Sequence, residues 1–243
     1  GRYEHWRHYT RGYLWFAALA TPLVISVHSV VSWDFALGVI PGWHTTIFAP
    51  YFVAGAIHSG LAMVLTLMIP MRKIFKAERI ITMHVLESVA KTIVFTGLIV
   101  GFAYGTEYFI AWYSQNTVEM EVFSFRSTGG FALAYWIMVV CNSIVPLLFF
   151  FKRIRTHIFW LFGISIVVNI GMWFERFVII ISSVAHDFLP NAWGQYAPTA
   201  IEYGIMLGSF SLFFFCYFLF VKHLPAISMT AMKELQHQET AHE

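Results

Sequence analysis

The chain has 243 residues, of which 58% are hydrophobic, 19% aromatic and only 12% charged, with a mean hydropathy of +0.67. A soluble domain carries about 25% charged residues, so this composition excludes an ordinary soluble fold and points to a polytopic helical membrane protein. A net charge of +2 leaves no strongly basic face for nucleic acid, and apolar runs that stay continuous beyond about 18 residues exclude the short alternating segments of a membrane barrel.

Six spans are predicted, at 13–37, 47–69, 84–112, 131–151, 159–185 and 200–221, forming an all-α transmembrane bundle that makes one domain of the whole chain, 1–243. Pro41-Gly42, Pro70, Gly129-Gly130, Pro190, Pro198 and Pro225 punctuate the gaps. Pro22, Pro50 and Pro146 fall in or near spans, where they are expected to kink helices. Arg2, Arg7 and Arg11 precede the first span, Arg72, Lys73, Lys76 and Arg79 follow the second, Lys152, Arg153 and Arg155 follow the fourth, and Lys222 and Lys233 follow the sixth. The alternate loops hold only Arg126. By the positive-inside rule both termini face the cytoplasm, and the turns 38–46, 113–130 and 186–199 face outward. The tail 228–243 is polar and is expected to fray or lie at the surface. The first residue is Gly1 rather than Met, without a signal-peptide pattern, and a longer parent protein is the expectation.

Ionisable groups at membrane depth cost several kcal/mol unless paired or hydrated, so each is a candidate for function. The first span carries His28 and Asp34 in its second half. Asp34 lies about one turn from the outer end, and His28 about 9 Å deeper at 1.5 Å per residue. Six residues apart, they point about 120° from each other and border a cavity only from two sides. Glu107 lies near the outer end of the third span, Glu175 and Arg176 in the outer half of the fifth, and Glu202 near the outer start of the sixth. Adjacent on a helix, Glu175 and Arg176 are expected to find partners on other helices. Glu87 and Lys91, spaced i, i+4 near the inner end, read as a self-neutralising pair. Trp43, Tyr108, Trp112, Tyr113, Trp193 and Tyr196 mark an outer aromatic belt. Cys141 and Cys216 sit inside apolar runs and read as buried free thiols, with no metal-ligand spacing around them. A bis-histidine haem b would need facing histidines at one depth; His28 and His58 meet the depth condition, but no two histidines share a helix face at useful spacing. No nucleotide loop or serine-nucleophile elbow is present.

Three stretches, TPLVISVHSVVSWDFA at 21–36, IPGWHTTIFAPYFVAGAIHSG at 40–60 and SIVVNIGMWFERFVII at 165–180, resemble the NrfD/polysulfide-reductase-type membrane subunits. The resemblance runs from 6 to 225 and is closest to the ActC-type subunit of bacterial alternative complex III, with the paralogous ActF type second. That family is longer, with about ten helices, of which this chain corresponds to the last six.

The resemblance implies a multi-pass subunit of the bacterial inner membrane that binds menaquinol or ubiquinol near the periplasmic face. Electrons would leave through the clusters of an iron–sulfur subunit and the c-type haems of a multihaem cytochrome subunit. A homologous membrane subunit and lipids complete the partners, and no redox metal belongs to this chain. On that reading His28, Asp34, Arg176 and Glu175 form the quinol-binding and proton-accepting set, and Glu87, Lys91, Tyr104, Glu107 and Glu202 a proton path. The alternative is a proton-conducting or structural anchor subunit without a quinol site of its own.

Overall fold

A computed structural model describes residues 3–186, 188–189, 191, 193–194, 196–224 and 232–233. Arg2, Pro190, Pro225 and nearly all of the polar tail lie outside the described residues. Among the described residues the regular structure is all helical, and six helical segments are long and apolar enough to cross a membrane: Arg7–Ala36, Phe48–Ile74, Met83–Tyr113, Ala132–Phe150, Ile158–Ser182 and Ala200–His223. They match the predicted spans to within a few residues at most ends. The reason is that a chain in hydrocarbon must satisfy every backbone N–H and C=O within itself, which a helix does locally.

The chain divides into two compact units, Gly1–Gln195 and Tyr196–Glu243. The first holds α1 (Tyr3–Ala36), α2 (Phe48–Ile74), α3 (Met83–Tyr113), α4 (Thr117–Thr128), α5 (Ala132–Val139), α6 (Lys152–Arg155) and α7 (Ile158–Phe177). Between α5 and α6 the helix passes through a π turn at Val140–Ile144 and a 3₁₀ turn at Val145–Phe150, and α7 continues into a second π turn at Val178–Ser182. The second unit is α8 (Ala200–His223).

Two features of the sequence reading change. Pro70 does not end the second span, since α2 runs through it to Ile74; Pro costs the Thr66 carbonyl its N–H partner, a loss membrane helices tolerate. The turn 113–130 contains a helix. Asn116 caps α4 by accepting from the Val118 N–H at 3.1 Å, and Glu119 sits in its first turn. That N-cap plus an acid three residues on is legible in the sequence, but the span pattern around this short polar stretch hides it.

Helices in lipid gain little from apolar burial against each other, and they associate through close packing of small residues and polar contacts. Here α2 packs on α1, α3 and α7, and α7 packs on α5 and the first π turn. Glycines mark the closest approaches. A Cβ on Gly97 of α3 would meet His58 of α2 at 3.1 Å and the Asn142 carbonyl at 3.2 Å, and one on Gly55 of α2 would meet Met172 of α7 at 3.3 Å. A Cβ on Gly171 of α7 would collide with Asn142 and Cys141 of the π turn. Phe48, Tyr51, Phe52, Val100, Met138 and Val178 fill the space between these crossings. Trp43, expected in the aromatic belt, is partly buried against this core, and its indole N–H donates to the Ile179 carbonyl in the second π turn at 2.7 Å. Cys141 is partly buried, and Cys216, expected to be buried, is exposed on α8; both are free thiols.

The crossings predict a contrast on one helix. Gly171→Ala should destabilise the detergent-purified protein by about 1–3 kcal/mol, because the collision is with the Cys141 Cβ and with the Asn142 amide that Tyr104 holds in place. Gly163→Ala, with open space around it, should be neutral or gain about 1 kcal/mol of helix propensity. Thermal unfolding of the two variants measures the difference.

Candidate functional site: a buried polar file

The short helix α4 delivers Arg126 into the bundle, where only 3% of it is exposed. Its Nε donates to Ser182 Oγ at 2.8 Å, and Nη2 donates to Ser183 Oγ at 2.5 Å and to the Gly42 carbonyl at 3.3 Å. The guanidinium carbon lies 5.0 Å from the Phe123 ring centroid. The wide second π turn presents Ser182 to it, a common use of such turns near functional groups. Gly42 has φ +79°, and a Cβ there would sit 2.8 Å from Nη2, so this loop position needs glycine for both conformation and space. Burial pushes the Arg126 guanidinium below the ordinary arginine range, and nearby Glu107 opposes that shift.

Glu107 of α3 is itself almost wholly buried and makes no hydrogen bond among the described residues. It lines a cavity of about 190 Å³ together with Gly42, His44, Thr45, Ser114, Asn116 and Glu119. Those polar groups share the wall with apolar Ile110, Ala111 and Phe123, the volume has room for several waters, and Thr45 Oγ1 is buried without a partner. Glu107 also lines a narrow inner cleft with Tyr51, Tyr104, Arg126 and Tyr135. One carboxylate thus faces both the open cavity and the interior.

Deeper in, Tyr104 of α3 donates to Glu175 Oε2 of α7 at 2.5 Å, and Asn142 Nδ2 of the first π turn donates to the Tyr104 hydroxyl at 2.9 Å. Tyr51 of α2 packs its ring edge-on to Tyr104, with centroids 5.7 Å apart, in the same cleft. Glu175 is fully buried. Its Oε1 has no hydrogen bond but lies 3.4 Å from Arg176 Nη2. Arg176 is 38% exposed and stacks 4.5 Å over Phe52 of α2, which lies 5.6 Å from Phe35 of α1. The expectation of partners on other helices therefore holds for both residues, yet they also pair with each other. Beyond Asn142, the fully buried His58 bonds Thr96 Oγ1 through Nδ1 at 2.9 Å, and its Nε2 has no partner.

There the file stops. Ser59 of α2 only turns back to the Ala56 carbonyl of its own helix, and the next α2 side chain bonded to another helix is Thr66, which meets Ser165 and Asn169 of α7 about 12 Å beyond His58 at 1.5 Å per residue. The fully buried Ala62 and Leu65 fill the interval.

The remaining sequence candidates lie elsewhere. His28 is partly buried on α1 with Nδ1 2.8 Å from its own helix's Val24 carbonyl. Asp34 is exposed, and its side chain bonds none of the described residues. Glu87 is held at the opposite end from Glu107, 3.2 Å from Lys91 and 2.8 Å from Arg155 of α6. Glu202 caps α8: it accepts from the Thr199 N–H at 2.6 Å and the Tyr196 hydroxyl at 2.6 Å, while its own N–H donates to Thr199 Oγ1 at 3.4 Å. That bond raises the Tyr196 hydroxyl's pKa above the ordinary tyrosine range, as the carboxylate holds its proton. Arg126, Tyr51 and Asn142 were missed. Arg126 had one signal, as the only basic residue in loops otherwise stripped of them. Tyr51 and Asn142 look in sequence like any other residue of an apolar run.

The family model described as "Polysulphide reductase, NrfD" matches residues 4–186, which include the whole polar file. A protein of Halobacterium salinarum, provisionally named as a membrane subunit of dimethyl sulfoxide reductase, is 26% identical over 228 residues, covering 82% of this chain and 50% of that protein. The chain spans about half the length of this relative.

Arg126 supports the file by satisfying three groups at once, which lysine's point charge cannot reproduce. Arg126→Ala should cost about 3 kcal/mol or more, because Ser182, Ser183 and the Gly42 carbonyl lose their donor in the interior. Arg126→Lys should recover only part of that loss. Chemical or thermal unfolding in detergent reads both.

Proposed function

The chain belongs to the NrfD polysulphide reductase family, and on that premise we propose that it is the quinol-binding membrane subunit of a quinol oxidoreductase complex. The reading takes it to be of the alternative complex III type, ActC-like before ActF-like, in a bacterial plasma membrane. Menaquinol or ubiquinol is oxidised, and its two electrons leave to iron–sulfur and c-type haem partner subunits. Its two protons must be accepted within this chain or beside it.

The observation that carries the proposal is the one-sidedness of the polar file. It leads from Glu175 and Tyr104 through Glu107 to the cavity at Gly42 and Glu119, and it ends at His58. Such an arrangement suits proton release toward one face from a site at the edge of the bundle. The Arg176 guanidinium, half-exposed between α2 and α7 beside Phe52 and Phe35, offers donors to a quinol oxygen and aromatic walls to its ring. Glu175 Oε1, facing Arg176 and lacking a hydrogen bond, is placed to take the first proton. Tyr104, Tyr51 and Glu107 pass it to the cavity. On this reading one of His28 and Asp34, which lie on α1 without a bond to any of these groups, takes the second proton.

The second reading, a proton-conducting anchor without its own quinol site, draws on the polar groups beyond the break: Thr66, Ser165, Asn169 and the Glu87–Lys91–Arg155 cluster. Continuous conduction would have to bridge the apolar interval at Ala62 and Leu65, which makes it the weaker reading.

In assembled complexes, Glu175→Gln and Glu107→Gln should each slow quinol oxidation by roughly a hundredfold, the scale of a lost general base. Asp34→Asn and Arg176→Leu should do the same with a raised quinol KM. Steady-state quinol oxidation with purified complex measures all four; wild-type turnover in Asp34→Asn and Arg176→Leu removes the pocket from this place. Stoichiometric quinone in the purified complex supports the first reading, and proton flux through a quinone-free complex supports the second.

A further inference from the structure

At the end of the bundle away from Glu107, the last turns of α2 and the first turns of α7 part. They leave an open groove of about 550 Å³. Its walls are Ile69 and Pro70 from α2 and Ile158 and Phe162 from α7, and its lip carries Arg72, Lys73 and Glu78. The volume is in the range of small-molecule sites and far beyond what a free phosphate fills. Both walls lie at the ends of membrane-crossing segments, Phe48–Ile74 and Ile158–Ser182, where hydrocarbon gives way to headgroups.

The lip is built and positively charged. Arg72 Nε donates to the Ile81 carbonyl at 2.7 Å, which ties the α2–α3 loop and fixes the guanidinium. Its terminal nitrogens make no hydrogen bond among the described residues. Lys73 has no acidic partner among them either, and exposed Lys76 and Arg79 flank it on the same short loop. Four cations against one carboxylate, Glu78, give a net positive rim around an apolar slot. An anionic headgroup with an acyl chain matches both parts at once. Basic pockets between membrane helices bind such lipids through the phosphate, at about 1 kcal/mol per basic residue near the surface.

We propose that this groove binds one anionic phospholipid, with its phosphate at Arg72 and Lys73 and one acyl chain along Ile69, Pro70, Ile158 and Phe162. The lipid clamps α2 to α7, the helices that carry Tyr51 and Glu175, and the site is independent of any quinol chemistry.

The test is native mass spectrometry of the delipidated protein, purified in detergent with its associated subunits. It is titrated with phosphatidylglycerol, phosphatidylcholine, phosphatidylethanolamine and inorganic phosphate. One saturable phosphatidylglycerol per chain is expected, tighter than either zwitterionic lipid, with inorganic phosphate unable to displace it. Lys73→Gln should weaken binding about fivefold, Ile158→Trp should weaken it by filling the slot, and Glu78→Gln should strengthen it. Arg72→Gln also breaks the Ile81 tether, so the first two variants carry the test. Equal affinity for phosphatidylcholine overturns the proposal. So does phosphatidylethanolamine binding that disappears with Glu78→Gln, displacement by inorganic phosphate, or unchanged affinity in both Lys73→Gln and Ile158→Trp.

Discussion

The bond from Tyr104 to Glu175 is the contact on which the interior depends. A carboxyl group with no exposed surface in a membrane bundle is costly, by several kcal/mol if left bare. Hydrogen bonds to a charged group return about 1.5–3 kcal/mol each. Glu175 therefore requires a donor brought by another element, and it receives one from Tyr104 of α3, with Tyr51 of α2 packed against that tyrosine and Arg176 beside the carboxylate. Asn142 then fixes Tyr104 from the π turn. Four chain segments are held in register around one carboxyl group.

That requirement explains the irregular backbone. A regular α-helix through Val140–Ile144 or Val178–Ser182 would rotate the following side chains by the extra residue that a π turn absorbs. The first π turn aims Asn142 at Tyr104, and the second aims Ser182 at Arg126 and leaves the Ile179 carbonyl to Trp43. The glycines follow from the same demand. Gly97 and Gly171 let the polar segments approach closely enough to bond, in lipid where apolar burial supplies little attraction between helices.

The break after His58 gives the interior a direction. On one side are two buried carboxylates, a buried arginine and a cavity; on the other, an apolar layer, then the Thr66–Ser165–Asn169 bonds and the cluster of Glu87 with Lys91 and Arg155. A group that must dispose of protons on one side of a membrane has use for such asymmetry, whereas a purely structural polar core would not need the cavity.

The sequence by itself determined the class and the number of spans, because hydrocarbon thickness and backbone hydrogen bonding constrain any apolar run of this length in the same way. It also determined the family resemblance, and it singled out His28, Asp34, Glu107, Glu175, Arg176 and Glu202 as ionisable groups at membrane depth, with Tyr104 named only as part of a proton path. The tertiary structure alone decided which of these meet. It bonded Tyr104 to Glu175, set Glu107 in one cleft with Tyr104, brought in Arg126, Tyr51 and Asn142, committed Glu202 to a helix cap and Glu87 to a lysine and an arginine, and left His28 and Asp34 on α1 without a bond to any of them. Depth along a span follows from counting residues at a fixed rise. Rotation about the helix axis, on which every side-chain meeting depends, is reset by each π turn and close crossing, and only packing fixes it.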